Sequence, residues 1–322
     1  MTKTGEAHHA HRIQAALSER GATAQSAVAA SWARSLDRYG LDPEHAAAPE
    51  RLDEASFRQA CQRLDDLIAR GAPTIDRLFQ MVGDAGCCVL LTDADGIPVA
   101  RRGEAGDDQD FRKLGLWTGM VWSEAREGTN GVGTCLAEGR ALTIHRDQHF
   151  LTRNIGLSCT VAPIWDPQGR LIAALDVSTC RADLTPSMLK LIAATTVDAA
   201  QRIEAAQFRA TFPNARIVVA GDAGRGALLA VDREDLVIGA NRAARLAFGL
   251  NDTRIAGRFP ADDLLAPAQP HRDDDLDAAE RGAVQRALAR ASGNVSAAAR
   301  LLGVSRATLH RKLARLSLDR SR

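Results

Sequence analysis

Hydrophobic positions change their spacing twice along the chain, and each change predicts a different kind of structure. Through residues 1–82 apolar residues recur every three or four positions, as in AVAASWARSLDRYG, which is typical of amphipathic helices. Gly71 is expected to interrupt this helical leader. From Gly86 the apolar runs shorten, as in CCVLLTD and RLIAALDVST, and DADG and DPQG stand between neighbouring runs. This pattern predicts antiparallel β-strands joined by tight turns.

The last strand of this region is followed by signals for one long helix. Thr185 can cap its N-terminus and Pro186 suits its first turn, ahead of apolar residues at helical spacing. A second, shorter β-type stretch occupies residues 209–258 and is small for a complete domain, so we interpret it as a partial sensor-like module or a spacer. The acidic, proline-containing residues 259–275 predict a flexible linker.

The C-terminal residues predict three short amphipathic helices separated by SGN and GVS. Asn294 and Ser305 are placed to cap the second and third helices, and Gly303 stands where a left-handed residue ends the second. The apolar residues that should form one small shared core are Leu276, Ala283, Val284, Ala287, Leu288, Ala291, Ala298, Ala299, Leu301, Leu302, Leu309, Leu313 and Leu316. This arrangement of helix caps and a helix-ending glycine is typical of a helix-turn-helix.

Charge changes this picture only through its distribution, because 41 basic and 40 acidic residues nearly cancel. Residues 261–280 hold seven acids against one arginine, whereas residues 290–322 hold eight Lys or Arg against Asp319 alone. A sharply basic end indicates a polyanionic partner, and the helix-turn-helix pattern makes double-stranded DNA the expected one. Arg306 could reach guanine, and the other predicted contacts set register or touch phosphate. The predicted DNA-binding residues are Asn294, Ser296, Ser305, Arg306, Thr308, His310, Arg311, Lys312 and Arg315.

Composition limits the remaining function classes. The N-terminus has no apolar signal-peptide core, and no run of about 18 apolar residues could span a membrane, so we expect a cytoplasmic protein without a membrane partner. Six cysteines are too sparse for a disulfide scaffold, and no CxxC pair suggests a zinc site. We therefore expect no metal, no cofactor and no catalytic residue.

Two segments resemble known families. GNVSAAARLLGVSRATLHRKLARL looks like the helix-turn-helix of the Fis family, which implies DNA binding as a homodimer on a two-fold related site. SWARSLDRYGLDP, together with the run from GCCVLLTDADG to RLIAALDVSTC, resembles the N-terminal half of the acetoin-catabolism regulators, whose sensor is a GAF domain. The resemblance implies an α+β fold, in which an antiparallel sheet with flanking helices holds a small effector. The expected domains are a helical leader (1–82), a GAF sensor (83–208), a partial PAS-like or spacer segment (209–258), an acidic linker (259–275) and the Fis-type helix-turn-helix (276–322).

The effector pocket can be sketched around the segment EGTNGVGT, whose glycines and polar donors precede an apolar helix. Trp117 and Trp122 flank this loop and could wall a pocket or simply pack the core. Cysteine and histidine residues nearby could form a redox or metal cluster, or be ordinary buried thiols and surface histidines. Asp176 could read a ligand or pair internally. The candidate ligand-binding residues are Trp117, Trp122, Thr129, Asn130, Cys135, His145, Cys159 and Asp176.

The sequence departs from the resembling family at one point that bears on mechanism. Family members usually carry an AAA+ ATPase between sensor and helix-turn-helix, but the four lysines here (Lys3, Lys113, Lys190, Lys312) never follow a glycine, so a Walker A loop is excluded. We expect a transcription regulator that senses a ligand without ATPase-driven activation of sigma-factor-bound polymerase. The alternatives are an architectural or competing DNA binder whose GAF domain senses nothing, and a thiol-based redox enzyme.

Overall fold

The computed structural model describes residues 3–45, 48–220, 226–233, 235–265, 280, 283–284, 287–288, 291 and 294–316. It divides into two compact units, Met1–Leu264 and Leu265–Arg322. No described helix combines the length and the apolar content that a membrane span requires.

Helices and strands alternate through the first unit. Its helices are α1 (Lys3–Ser18), α2 (Ala22–Gln25), α3 (Ala27–Ala33), α4 (Glu54–Arg63), α5 (Asp65–Val82), α6 (Asp108–Lys113), α7 (Glu124–Glu127), α8 (Gly131–Glu138), α9 (Pro186–Thr211), α10 (Arg242–Phe248), α11 (Asp252–Ala256) and α12 (Asp262–Leu265). Its strands are β1 (Cys87–Asp93), β2 (Pro98–Arg102), β3 (Leu142–His145), β4 (Ser158–Trp165), β5 (Leu171–Thr179), β6 (Arg216–Val219), β7 (Leu228–Val231) and β8 (Val237–Ala240).

A five-stranded antiparallel sheet in the order β2-β1-β5-β4-β3 forms the centre of this unit. Helices α4, α5 and α9 cover one face and bury a large apolar cluster, while α6 and α8 cover the other face and bury a second. Gly71 does not interrupt the leader as expected, because it lies inside α5. A Cβ at this position would lie 3.6 Å from the side chain of Ile203 in α9, an ordinary van der Waals distance, so Gly71 lies where α5 packs against α9. The α+β fold class is confirmed.

The local signals for turns and for the long helix are confirmed. The Asp93 carboxylate accepts hydrogen bonds from the backbone of Asp95 and Ile97 in the β1–β2 turn, and Asp166 does the same for Gln168 and Arg170 between β4 and β5. Gly96 and Gly169 both adopt φ +81°, where a side chain would be strained. Helix α9 starts at Pro186, and the Thr185 side chain accepts the Met188 amide at 3.3 Å.

The beginning of the leader packs against the segment between β3 and β4. Ile13 and Trp32 share an apolar cluster with Phe150 and Leu151. The Trp32 indole donates to the carbonyl of Gln148 at 2.9 Å. Helix α3 continues into a π-helical turn at Arg34–Arg38. The beginning of the leader therefore shares a separate apolar cluster with the segment between β3 and β4, within the same compact unit as the sheet.

A smaller antiparallel sheet, β6-β7-β8, follows α9 and has its own apolar cluster with α10 and α11. Phe259 and Leu264 pack against this cluster, and Pro260 forms a β-bridge with Leu236. Residues 259–265, which composition assigns to a flexible linker, are thus ordered against the small sheet, because their apolar side chains have a surface to cover. The rest of the expected linker, residues 266–275, lies outside the described residues.

The second unit contains α13 (Val295–Leu301) and α14 (Arg306–Arg315). Ala298, Leu309, Leu313 and Leu316 are buried in one cluster with Val284, Ala287 and Ala299, as the apolar pattern predicts. Leu301 is 60% exposed, so its assignment to the core was wrong. It is the last residue of α13. Leu276 and residues 317–322 lie outside the described residues.

Candidate ligand pocket and DNA-binding surface

Four predicted ligand-binding residues meet on the sheet face that α6 and α8 cover. Trp122, Cys135 and Cys159 belong to one apolar cluster. Asp176 of β5 pairs in register with Leu90 of β1, a member of that cluster. Side chains of directly paired residues lie on the same face of a sheet, so Asp176 points into this apolar environment.

Asp176 is fully buried and only half satisfied. Its Oδ2 accepts a hydrogen bond from the Ser178 hydroxyl at 2.7 Å, whereas Oδ1 has no hydrogen-bond partner among the described residues. Burial disfavours the charged form and raises the pKa of Asp176 from 3.8 to about 7. The carboxyl group is therefore close to its titration point near neutral pH and can bind one further polar group.

The thiols around Asp176 are protonated. Burial raises the pKa of Cys135 to about 12 and raises the pKa of Cys88 and Cys159 as well. The sulfur of Cys159 lies 3.4 Å from Nε2 of His149, whose Nδ1 lies 2.8 Å from the carbonyl of Arg146. Burial lowers the pKa of His149 to about 4, so this neutral ring donates through Nδ1 and accepts the thiol proton at Nε2. Among the described residues, no group of three His, Cys, Asp or Glu side chains could hold a metal ion.

The two predicted tryptophans differ in environment. Trp122 is buried and its indole donates to the carbonyl of Gly115 at 2.7 Å, so it packs the core. Trp117 is half-buried, and its ring lies between the guanidinium groups of Arg101 and Arg112, at 4.1 Å and 3.6 Å from the ring centroid. Arg101 pairs in register with Leu90 and therefore faces the same side as Asp176.

The loop ahead of α8 is held from both sides. Asn130 caps α8 by accepting the Gly133 amide at 2.8 Å, and its own amide donates to the carbonyl of Gly128 at 2.9 Å. The Thr129 hydroxyl lies 2.7 Å from the hydroxyl of Ser31 in α3. Both predicted loop residues are fully buried, so they fix the loop conformation.

Helix α3 and the π-helical turn that follows it reach this loop through one side chain each. The buried Ser31 hydroxyl donates to the Glu124 carboxylate and lies 3.1 Å from the Thr134 hydroxyl. Arg34 donates to Glu124 at 2.7 Å and to Glu138 at 2.9 Å. The leader is thus bonded to both α7 and α8, on either side of the glycine-containing loop.

His145 does not join the other predicted ligand-binding residues. Its partner in β4 is Ser158, with Nδ1 2.7 Å from the hydroxyl, whereas the preceding Ile144 pairs with Cys159. Because successive strand side chains alternate between faces, His145 lies on the face opposite Asp176. His145 is therefore not part of the buried face that carries Asp176.

In the second unit, the predicted caps are confirmed. Asn294 accepts the Ala297 amide at 3.1 Å, Ser305 accepts the Thr308 amide at 3.0 Å, and Gly303 adopts φ +66°. These interactions fix the turn between α13 and α14 and so orient α14.

The basic residues of α14 fall into two groups that differ in their ion pairs. Arg306 and Arg311 are exposed and form no ion pair with another described residue. Lys312 and Arg315 both form ion pairs with Glu280. Part of the positive charge counted from the sequence is therefore neutralised within the unit. Of the other predicted contacts, Ser296, Thr308 and His310 are half-buried.

Sequence reasoning missed the residues whose role depends on distant partners. Arg101 stands in an ordinary strand pattern, Ser31 and Arg34 in an ordinary helix, and Glu280 in an acidic run. The alternation of β2 could have placed Arg101 on the inner face, but nothing local marked the contacts of the other three.

Family models identify both parts of the chain. Residues 66–203 match the GAF domain, and residues 276–316 match the bacterial regulatory protein model of the Fis family. The chain therefore combines a GAF domain with a Fis-family helix-turn-helix, the composition of a bacterial transcription regulator. The GAF match begins at residue 66, earlier than the boundary at residue 83 predicted from the sequence. It therefore places α5 in the domain.

Within that class the chain is similar to regulators of acetoin catabolism. It is 36% identical over 222 residues to the acetoin catabolism regulatory protein of Cupriavidus necator, covering 67% of this chain and 33% of that protein. It is 26% identical over 182 residues to the acetoin dehydrogenase operon transcriptional activator of Bacillus subtilis (56% and 30%), and 30% identical over 172 residues to the propane 2-monooxygenase operon activator of Mycolicibacterium smegmatis (52% and 28%). The chain spans about a third of the length of these curated relatives.

A solved structure shares the fold. The Escherichia coli DhaR(N)–DhaL complex superposes with a TM-score of 0.53 at 17% identity, over 70% of this chain and 77% of that one.

Proposed function

We propose that the protein is a sequence-specific DNA-binding transcription regulator whose α14 enters the major groove. The observation that carries this proposal is the capped start of α14, where Arg306 and Arg311 are exposed and have no acidic partner among the described residues. A guanidinium group at the start of such a helix can donate to O6 and N7 of guanine. The other residues proposed to position the helix on the duplex are Asn294, Ser296, Ser305, Thr308, His310, Lys312 and Arg315.

Selection of bound fragments from genomic DNA, followed by fluorescence anisotropy, tests this proposal. The full chain should bind an enriched duplex more tightly than a scrambled duplex, and both affinities should fall with added salt. Absence of salt-sensitive binding to any duplex would refute the function.

We further propose that the regulator acts as a homodimer on two-fold related sites, since one helix reads only a few base pairs. Sedimentation of the free protein and of its complex with an enriched duplex would test this: two chains per duplex are expected. A chromosomal target would also place the protein in the cytoplasm.

The GAF domain is proposed to sense a small metabolite on the sheet face of Asp176. Support comes from the buried Asp176 carboxyl with its free acceptor, and from relatives named for acetoin and propane catabolism. A ligand that binds the folded state raises its melting temperature. A metabolite panel in which no compound shifts the melting of the full chain would favour the alternative, a DNA binder that senses nothing.

Regulation is proposed to depend on DNA occupancy without ATP hydrolysis. Only residues 204–275 lie between the two family matches, and no lysine in the chain follows a glycine. Purified protein should hydrolyse no ATP with or without its DNA site. If the purified protein did hydrolyse ATP, and a substitution in this chain abolished that activity, the proposal would be contradicted.

A thiol-based redox enzyme is disfavoured. Such chemistry needs an accessible thiol of low pKa, whereas burial raises the pKa of Cys87 to about 11 and that of Cys135 to about 12.

A further inference from the structure

The Trp165 side chain contacts two helices that belong to different parts of the first unit. One contact is with the C-terminal end of α8, where a Cβ at Gly139 would lie 3.4 Å from Cη2 of the indole. The other is with the first residue of α10, Arg242, whose guanidinium group lies over the ring at 3.6 Å from its centroid. Helix α8 packs on the five-stranded sheet, whereas α10 packs on the small sheet. A single side chain therefore joins the two.

The backbone of Trp165 is held in place. The residue ends β4, where it pairs with Leu171 of β5, and its amide donates to the carboxylate of Glu204 in α9 at 2.9 Å. The sheet and α9 thus fix the main chain from two sides, so that the side chain is the part of Trp165 that can respond to its neighbours.

The contact with α10 extends to the turn that follows Trp165. Gly169 in the β4–β5 turn adopts φ +81°, and a Cβ there would lie 3.3 Å from the Arg245 side chain and 3.8 Å from the Cα of Arg242. Arg242 forms no ion pair with an acidic side chain that the structure describes, which leaves its charge available to the ring. A guanidinium group in this position is attracted by the negative face of an indole.

The small sheet is also attached at a second point, through α9. Phe208 of α9 is fully buried and packs with Leu228 and Ala230 of β7. Trp165 and Arg242, by contrast, are both half-buried. Because a fully buried apolar contact contributes more than a half-exposed cation–π pair, the contact at Trp165 should open before the contact at Phe208.

We propose that Trp165 couples the C-terminal end of α8 to the small sheet, so that a displacement of α8 changes how firmly the small sheet is held on the GAF domain. The inference rests on the proposed sensing function only for the event that displaces α8, since the coupling itself exists without a ligand. Coupling free energies are reciprocal, so a change in the small sheet must also alter α8.

Hydrogen exchange of the full chain, measured by mass spectrometry without ligand or DNA, tests both directions. Arg242→Gln removes the stacked cation on the side of the small sheet, and it should speed exchange at the C-terminal end of α8 by about two- to fivefold, the factor expected for one lost cation–π contact. Gly139→Ala places a methyl group against the indole and strains the φ of +61° at this position, so exchange in β7 and β8 should speed by a similar factor.

Each substitution has a matched control in the same part of the chain. Arg254→Gln also removes a guanidinium group that stacks on an aromatic ring of the small module, 5.0 Å from the centroid of Phe259, and should leave exchange in α8 unchanged. Gly115→Ala also introduces a methyl group at a positive φ, +75°, with a Cβ 3.4 Å from Pro49, and should leave exchange in β7 and β8 unchanged.

Trp165→Phe separates coupling from general loosening. Phenylalanine keeps an aromatic ring but lacks the outer ring of the indole, which carries the two atoms nearest to Gly139. In this background the effect of Arg242→Gln on α8 and the effect of Gly139→Ala on the small sheet should both disappear.

Unchanged exchange in α8 of Arg242→Gln, or remote effects that persist in the Trp165→Phe background, would overturn the coupling. If Gly139→Ala does not fold, Arg242→Gln decides alone, because it changes only a half-buried side chain. Duplex binding and the metabolite panel, measured on the wild-type protein, test the regulator and its sensor separately, so failure of the coupling leaves those two results standing.

Discussion

Replacing Asp176 by asparagine should stabilise the protein in a manner that depends on pH. The wild-type carboxyl group is fully buried, accepts one hydrogen bond, and has no cation among its pKa determinants. Asparagine has nearly the same shape, keeps an oxygen for Ser178, and carries no charge that burial must neutralise. The substitution therefore isolates the cost of a buried carboxylate.

The magnitude follows from the shift in pKa. Folding raises the pKa of Asp176 from 3.8 to about 7. Between these values the folded state holds a proton that the unfolded state has lost, so the wild-type free energy of unfolding falls as pH rises from about 4 to 7 and levels off above that. At 1.36 kcal/mol for each unit, the full loss is about 4 kcal/mol, of which about 3 kcal/mol falls between pH 5 and pH 8.

Urea denaturation of wild type and Asp176→Asn at pH 5 and pH 8 measures this difference directly. The advantage of the variant should grow by about 3 kcal/mol between the two pH values. Glu204, whose pKa burial also raises to about 7, titrates in both proteins and cancels in the comparison. Asp198→Asn, on the exposed side of α9, is the control and should show no such growth. An advantage that is equal at both pH values would refute the reasoning.

Three further substitutions test the other contacts. Ser31→Ala removes a buried hydroxyl that bonds the leader to the loop and should lower the free energy of unfolding by about 1–3 kcal/mol in denaturant titrations; an unchanged midpoint would mean that the contact contributes nothing. Arg306→Ala should weaken binding to the enriched duplex by about 1–3 kcal/mol and relax base preference at one position, whereas an equal loss on every sequence would assign Arg306 to phosphate. Glu280→Gln removes the ion-pair partner of Lys312, so the slope of log affinity against log salt should steepen by about one unit; a constant slope would show that Lys312 does not reach phosphate.

The parts of the fold that could be predicted depend on neighbours in sequence. Thr185 caps α9, and Asn294 and Ser305 cap the DNA-binding helices, because a cap needs only an amide three residues away. The hairpin turns follow for the same reason from an aspartate and a glycine within four residues.

The parts that could not be predicted depend on tertiary packing. Gly71 is a residue type that often breaks helices, yet it lies inside α5, where this helix packs against Ile203 of α9. Phe259 lies in a stretch whose acidic composition favours a linker, yet a small sheet is available for it to cover. Neither partner is near in sequence, so no local pattern could reveal them.

In the candidate site, one of the two main residues could be predicted from the sequence and the other could not. Asp176 is conspicuous in the sequence as an acid in an apolar strand, and the structure shows that it pairs internally through one oxygen and leaves the other free. Arg101 is not conspicuous, because an arginine at the end of a half-exposed strand is ordinary. Only the register of β2 against β1 shows that it shares a face with Asp176.

The contacts of the leader bear on how a ligand could produce a signal. Helix α8 covers the face of Asp176, and its N-terminus packs against β4 so closely that a Cβ at Gly131 would lie 2.5 Å from Cys159. A molecule entering beneath α8 must therefore move this helix or the loop before it. That loop is bonded to α3 through Ser31, and Arg34 bonds α3 to Glu124 and Glu138 on either side of it. Because coupling free energies are reciprocal, any ligand that changes the strength of these bonds has its own affinity changed by them equally. The leader is thus energetically part of the proposed sensor, although its sequence alone suggests only a run of helices.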